Sequence, residues 1–224
     1  MSHFSDPAAV ARYAERPVRL VPGFLDLQRM AGVLLAERVS SDACVLVLGA
    51  GGGLELKAFA EWQPGWSFVG VDPSAEMLAL AAQITAAFKA RIELYEGYIE
   101  SAPEGPFDAA TCLLTLHFVP RDQRINTLIE LRKRLKPGGP LVIAHHSFPQ
   151  GKDQKALWLS RYAAFATASG VPAEQTQNAA QTIGAQLPVA APEEDEAMLN
   201  AAGFTGVSQF YMGFTFRGWV AYAP

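Results

Sequence analysis

Three groups of residues in this sequence have the types and spacing to do chemistry. The first is Gly49-Ala50-Gly51-Gly52-Gly53, which follows the apolar run Cys44-Val45-Leu46-Val47-Leu48 and precedes a helix-length segment from about Leu54 to Trp62. Glycines between a strand and a helix let backbone N–H groups meet an anionic or polar ligand, although a tight turn that only needs glycine reads the same way. The dinucleotide pattern Gly-x-Gly-x-x-Gly requires its third glycine at position 54, which is Leu54, so nicotinamide binding is disfavoured. A phosphate loop fails as well, because Lys57 follows Leu56 and no Ser or Thr comes next. The second group is Asp72, at the end of the next apolar run, where a carboxylate can accept both hydroxyls of a ribose diol; a helix N-cap in Asp72-Pro73-Ser74 is a compatible role. The third is His117, His145 and His146, which fall after the fourth and fifth strands and are weak candidates for a general base. A histidine satisfied by a backbone carbonyl explains His117 equally well. Of His145 and His146 only one can face a cleft, since neighbouring strand residues point to opposite faces.

The elements that must position these residues follow from periodicity. Leu27, Met30, Ala31, Leu34, Leu35 and Val39 recur at helical spacing, which predicts a helix with Asp26 as N-cap and Ser40-Ser41-Asp42 as its exit. Cys44–Leu48 and Phe68–Val71 are short, continuously apolar runs separated by a helix, as a βαβ unit requires. The alternation continues with a helix over Met77–Ala81, strands at Ile92–Leu94 and Ala109–Leu114, a helix from about Arg121 to Leu135 broken by Lys136-Pro137-Gly138-Gly139, and a strand over Leu141–His145. Such a chain predicts an α/β fold, a mostly parallel sheet with helices on both faces, whose ligand site lies at the carboxyl ends of the strands where their order reverses. From about Asp153 to Ala202 the rhythm breaks into an Ala- and Gln-rich stretch punctuated by Pro172, Pro188 and Pro192, read as a helical cap. Residues 206–211 and 214–220 then predict a closing antiparallel hairpin, for seven strands in all.

Length and charge bound the rest. With 224 residues, half of them hydrophobic, the expectation is one domain over 1–224: an N-terminal helical segment (1–42), a ligand-binding core (43–150), the cap (151–203) and the closing hairpin (204–224). Eighteen basic against 22 acidic residues give a net charge of −4, which disfavours a nucleic-acid partner. Arg121, Arg124, Arg132, Lys133, Arg134 and Lys136 make one basic helix and exit, but Asp122 and Glu130 interrupt it, so a solvated outer face is expected there. Cys44 and Cys112 lie in apolar or β-branched runs and read as buried thiols. With neither a basic leader nor a membrane-length apolar run, a cytoplasmic protein without a membrane partner is expected. Tyr13, Trp158, Tyr162, Phe165, Tyr211 and Trp219 could wall a pocket for an apolar or planar molecule, or simply pack the core.

Over roughly residues 43–147 the chain resembles the class I S-adenosylmethionine (SAM)-dependent methyltransferases. The glycine loop, Val71-Asp72-Pro73-Ser74 with Met77-Leu78, Phe107-Asp108 leading a strand and Leu135-Lys136-Pro137-Gly138-Gly139 carry the likeness. Val21-Pro22-Gly23-Phe24 and Ala201-Ala202-Gly203-Phe204, with Phe210 to Val220, extend it to the bacterial carboxy-S-adenosylmethionine synthase and its methyltransferase relatives. The resemblance implies a Rossmann-like fold, SAM as cofactor and a cofactor site made of Phe24, Gly49, Ala50, Gly51, Asp72, Pro73, Met77, Gly97, Tyr98, Ile99, Leu113 and Leu114; the two cysteines, in no Cys-x-x-Cys spacing, indicate no metal.

The chain departs from that pattern at several points. Val47 replaces an acid two residues before the first loop glycine, so the contact to the methionine amino group must come from backbone or from another residue. Gly97-Tyr98 replaces Gly-Asp, so Tyr98 would line the adenine slot while the Ile99 backbone makes the polar contact. Phe24 replaces a tyrosine, and an asparagine near Leu113 is missing. No Lys or Arg occurs between Arg161 and Arg217, where the synthase carries an arginine for its extra carboxylate. A carboxylate buried without a fixed positive partner is costly. The reading is therefore methyl transfer from ordinary SAM to a small-molecule acceptor in a pocket shaped by the helical cap. The alternatives are a carboxy-S-adenosylmethionine synthase-like enzyme of tRNA wobble uridine modification and a non-catalytic SAM-binding protein. The apolar N-terminal helix and the hairpin could support a homodimer.

Overall fold

The computed structural model describes the backbone of residues 7–224, with side chains from residue 13 onward. The apolar run at the centre of the sequence becomes strand β1 (Cys44–Leu48), which divides its side chains between two cores. Val45 and Val47 pack with Leu27, Ala31, Leu35 and Phe59 on one face, and Leu46 and Leu48 with Leu128, Leu131 and Ile143 on the other. Burial on both faces is why the run is continuous instead of alternating; each such side chain contributes about 1.5–3 kcal/mol.

Strands β2 (Ser67–Asp72), β3 (Ile92–Glu96), β4 (Ala109–Leu113) and β5 (Pro140–His146) are parallel to β1, and β6 (Thr205–Gly213) and β7 (Phe216–Tyr222) form the expected antiparallel hairpin. The sheet order is β3-β2-β1-β4-β5-β7-β6, with β7 antiparallel to β5. After β1 the chain moves outward through β2 and β3, then returns to place β4 on the other side of β1. The loops leaving β1 and β4 therefore diverge, and a crevice opens at their carboxyl ends.

Helices α1 (Pro7–Leu20), α2 (Phe24–Ala36), α3 (Leu54–Trp62), α4 (Ala75–Ile84) and α5 (Arg121–Lys133) precede a group of three: α6 (Lys152–Ala168), α7 (Ala173–Gln186) and α8 (Pro192–Ala201). Two expectations need correcting. Helix α2 starts at Phe24, three residues before Leu27, with left-handed Gly23 as its cap and Asp26 in its first turn. Gly23, at φ 64°, turns the chain out of α1, a conformation in which a side chain would be strained. The cap helices form, but no residue of α6, α7 or α8 lines the principal cleft. Helices α6 and α7 pack on each other and on α1, and α8 packs on α5 and β6, so they cover the sheet and leave its mouth to α1 and α2.

Among the described residues, no helix is long and apolar enough to cross a membrane.

Candidate functional site

The crevice at the β1/β4 switch is a cleft of about 890 Å³. All twelve residues expected at the cofactor site line it: Phe24 from α2, Gly49, Ala50 and Gly51 from the glycine loop, Asp72, Pro73 and Met77 after β2, Gly97, Tyr98 and Ile99 after β3, and Leu113 and Leu114 at the end of β4. Residues from α1, α2, α3 and α5 complete the wall.

The glycine loop works differently from the anion cradle that its composition suggests. The N–H groups of Gly49 and Ala50 both donate to the Val71 carbonyl (2.8 and 3.0 Å), and that of Gly53 donates to the Ala50 carbonyl (2.9 Å). Gly51 N–H donates to Asp72 Oδ2 (2.9 Å), and Gly52 N–H to the Tyr13 hydroxyl (3.0 Å). All five donors are committed within the protein. What the glycines provide is close approach: a Cβ on Gly49 would lie 2.0 Å from Thr115 Oγ1, and one on Gly53 would lie 2.9 Å from the backbone of Ala81 in α4. Asp72 is the hub of this turn, since its Oδ1 also accepts Ser74 N–H (3.0 Å). The N-cap of α4 is Ser74, whose hydroxyl accepts Met77 N–H, and not Asp72 itself. A carboxylate has about four acceptor sites, so two remain for a ligand.

Four acids line the cleft, Glu55, Asp72, Glu100 and Asp122; among the described residues lining it, none is Lys, Arg or His. Glu55, in the first turn of α3, is 7% exposed, its Oε1 has no hydrogen-bond partner, and burial pushes its carboxyl up to about 8 while the neighbouring Thr111 hydroxyl pulls the other way. Sequence reasoning missed this residue. The available signal was its place four residues before Phe59, on the apolar stripe of α3, where an acid is out of pattern. Gln28 and Thr127, both buried and both lining the cleft, were missed for the same reason. At the end of β4, Leu114 holds φ 56°, a backbone conformation unusual for a residue with a side chain, and its N–H donates to Ala144.

The histidines lie elsewhere. His117, His145 and His146 are buried and none lines the cleft. His146 N–H donates to His117 Nδ1 (3.3 Å), His146 Nδ1 lies 3.1 Å from Thr215 Oγ1, and His145 Nδ1 lies 3.0 Å from the His146 carbonyl. Burial holds all three below the ordinary imidazole range, His146 at about 3. The geometry thus places the three weak base candidates behind the cleft wall.

The aromatic wall is also redistributed. Of the six residues considered, only Tyr13 reaches the cleft, and Phe24, Tyr98 and Phe118 supply the rest. Trp219 is fully buried against Glu196, and the Tyr211 hydroxyl donates to the Pro22 carbonyl (2.5 Å). Tyr162 borders a smaller cavity of about 490 Å³ between α1 and the α6–α7 pair. Phe165 packs near Phe214, and Trp158 lies under the guanidinium groups of Arg161 and Arg217. The basic helix is not simply a solvated face either: Arg124 is fully buried, Arg134 is bonded to Glu130, and Lys136 is bonded to Asp108. Of the two free cysteines Cys112 is buried, with its thiol pushed up to about 12 by burial, and Cys44 is half-buried.

A mostly parallel seven-stranded sheet with an acid one strand away from a glycine turn at its switch point is the architecture of a SAM-dependent methyltransferase, and residues 45–139 match the family described as a methyltransferase domain. These matches support a SAM-dependent methyltransferase, with SAM as its cofactor. Along nearly its whole length it is similar to the carboxy-S-adenosyl-L-methionine synthase of Chromohalobacter salexigens: 27% identical over 227 residues, covering 99% of this chain and 84% of that protein. Its fold is also that of a putative O-methyltransferase from Nostoc punctiforme (TM-score 0.68, 18% identity, 99% of this chain), of whose length it spans 64%. A third similar structure is PigF with SAH (TM-score 0.65, 16% identity, 96% of this chain and 59% of that one).

Proposed function

We propose that this protein, as one domain over residues 1–224, transfers the methyl group of SAM to a small acceptor that is uncharged or cationic. The observation that carries the reading is the lining of the cleft: four acids, the aromatic rings of Tyr13, Phe24, Tyr98 and Phe118, and the amides of Gln28, Gln123 and Asn126, with no cationic side chain among the described residues there. SAM supplies a methyl group already activated on a sulfonium, so the protein has mainly to align two molecules and exclude water.

The chain's residues fit that task. Asp72 takes the ribose diol on the acceptor sites left over from Gly51 and Ser74. Pro73 and Met77 on one side, with Gly97, Tyr98 and Ile99 on the other, form the adenine slot, and Phe24, Gly49, Leu113 and Leu114 border the methionine end. A volume of about 890 Å³ sits near the top of the usual range for small-molecule sites, about 300–1,000 Å³, which leaves room for an acceptor beside the cofactor.

Ordinary SAM suits this cleft better than its carboxylated analogue. An added carboxylate among acids would have no fixed positive partner. Arg217 is turned away, donating to the Phe214 and Phe216 carbonyls and lying over the Trp158 ring. The test is to incubate the protein with methyl-labelled SAM and a desalted extract of small metabolites and tRNA, then to separate products on an anion exchanger. Label in an unretained small molecule resolved from SAM, which as a cation also passes the column, is expected. Label confined to tRNA or to strongly retained acids, or no transfer at all, overturns the reading.

A further inference from the structure

The four acids of the cleft are not equivalent. Glu100 and Asp122 are exposed, and Asp72 is held by two backbone donors. Glu55 alone is buried with an oxygen that has no hydrogen-bond partner. It projects from α3 toward the face of the sheet on which Val47 of β1 and Thr111 of β4 are register partners. Thr111 Oγ1 is buried beside this carboxyl without a hydrogen bond of good geometry to it. A buried acid left unsatisfied in this way is costly, and a ligand that brings a cation removes the cost.

Bound SAM carries an α-ammonium on its amino-acid end, and the side chain of Val47, on the strand beside the loop, cannot accept a hydrogen bond from it. We infer that Glu55, reaching over from helix α3, receives the cofactor's α-ammonium in place of an acid on β1. The inference rests on the cleft being the SAM site. In the free protein the Glu55 carboxyl, at about 8, is mostly protonated at pH 7. When the ammonium docks, the carboxyl gives its proton to solvent and the carboxylate and ammonium pair. Glu55 would then also select for cofactor over nucleosides that lack the amino-acid tail.

The experiment uses two probes, S-adenosylhomocysteine, which keeps the ammonium, and 5′-methylthioadenosine, which lacks the amino-acid portion. Each is titrated calorimetrically at pH 7 in buffers of different ionisation enthalpy, with the wild-type protein and with Glu55→Gln. For the wild type, the homocysteine compound should release close to one proton and the methylthio compound none. Glu55→Gln should abolish that release and weaken the homocysteine compound about ten- to hundredfold, leaving the methylthio compound within about twofold; binding of the latter also reports that the variant is folded. Equal proton release with both probes, or equal weakening of both in Glu55→Gln, overturns the role of Glu55 while leaving the cleft as the nucleoside site. Binding of neither probe to the wild type overturns both. If Glu55→Gln fails to fold, the proton counts of the wild type decide alone.

Discussion

Two regions of this protein bury ionisable side chains, and they do so in opposite ways. In the cleft, Glu55 lines the wall with a buried oxygen that has no partner, and no described cation lines that space. Behind the wall, on the face covered by α5 and α8, Arg124, His145 and Asp195 face one another: Arg124 lies 3.8 Å from Asp195 Oδ1, His145 Nε2 lies 3.7 Å from the same oxygen, and all three are at most 1% exposed. These separations are too long for hydrogen bonds, and burial raises the Asp195 carboxyl and lowers the Arg124 guanidinium. The cluster nevertheless holds groups of both signs inside the protein, although Arg124 Nη1, His145 Nε2 and both Asp195 oxygens also lack hydrogen-bond partners. Arg124 also donates to the Val119 and Pro188 carbonyls, which ties α5 to the segments around it. The contrast teaches that a buried charge is not by itself a sign of function. What matters is whether its complement is already inside the protein or must arrive with a ligand.

The largest expected effect tests the cluster that holds both signs. Arg124→Met leaves Asp195 buried without its cation and should cost about 3–5 kcal/mol of stability by urea denaturation, with Arg124→Met/Asp195→Leu recovering most of it. A single variant that costs less than about 1 kcal/mol would mean that the cluster is not an electrostatic unit.

Next in size is Asp72→Ala on the cleft side. It should lower affinity for S-adenosylhomocysteine by about 1.5–3 kcal/mol in calorimetry, as loss of a charge-assisted bond does. Because Asp72 also accepts the Gly51 and Ser74 N–H groups, the melting temperature should fall modestly as well. A lower melting temperature with unchanged affinity would reduce Asp72 to a brace for the loop.

The smallest effects are in pH dependence, where the cleft acid Glu55 and the buried histidine His146 should differ in sign. His146, at about 3 in the folded protein against 6.5 ordinarily, takes up its proton more readily when unfolded, so its contribution is complete above about pH 6.5 and is lost as pH falls toward 3. Glu55, raised from 4.5 to about 8, behaves in the reverse sense: the folded state keeps the proton that the unfolded chain has released, so stability declines as pH climbs from about 4.5 to 8. In thermal melts across pH, His146→Phe should flatten the acid limb and Glu55→Gln the alkaline one. Parallel shifts in the two variants would erase the distinction between the cleft acid and the histidine behind its wall.

Much of the site was legible because its signals are local. The glycine turn and Asp72 are each read from a few adjacent residues, and a parallel sheet brings successive strand ends to one edge, so the twelve expected residues converge on one cleft. Glu55 was masked despite its place on the apolar stripe, because an acid in the first turn of a helix ordinarily reads as a favourable interaction with the helix dipole on a solvated face. Only the docking of α3 over Val47 and Thr111 turns it inward. The three histidines misled for the complementary reason: strand ends near a site are where a base would sit, but the packing of Phe216 and Tyr162 around His146, and of Trp219 and Asp195 around His145, closes that position to ligand.

By itself the sequence determined the order of strands and helices, the turn too crowded for side chains and the acid one strand away, since these depend on periodicity and on backbone sterics within a short window. The tertiary structure alone decided that α1 and α2, and not the α6–α8 insertion, wall the mouth. It also decided that the loop's N–H groups are spent on Val71, Asp72, Ala50 and Tyr13, and that an acid from a helix stands where the strand offers valine. Each of those outcomes depends on which faces meet across distant parts of the chain, and a pattern of 3.6 or 2 residues fixes a face without naming its partner.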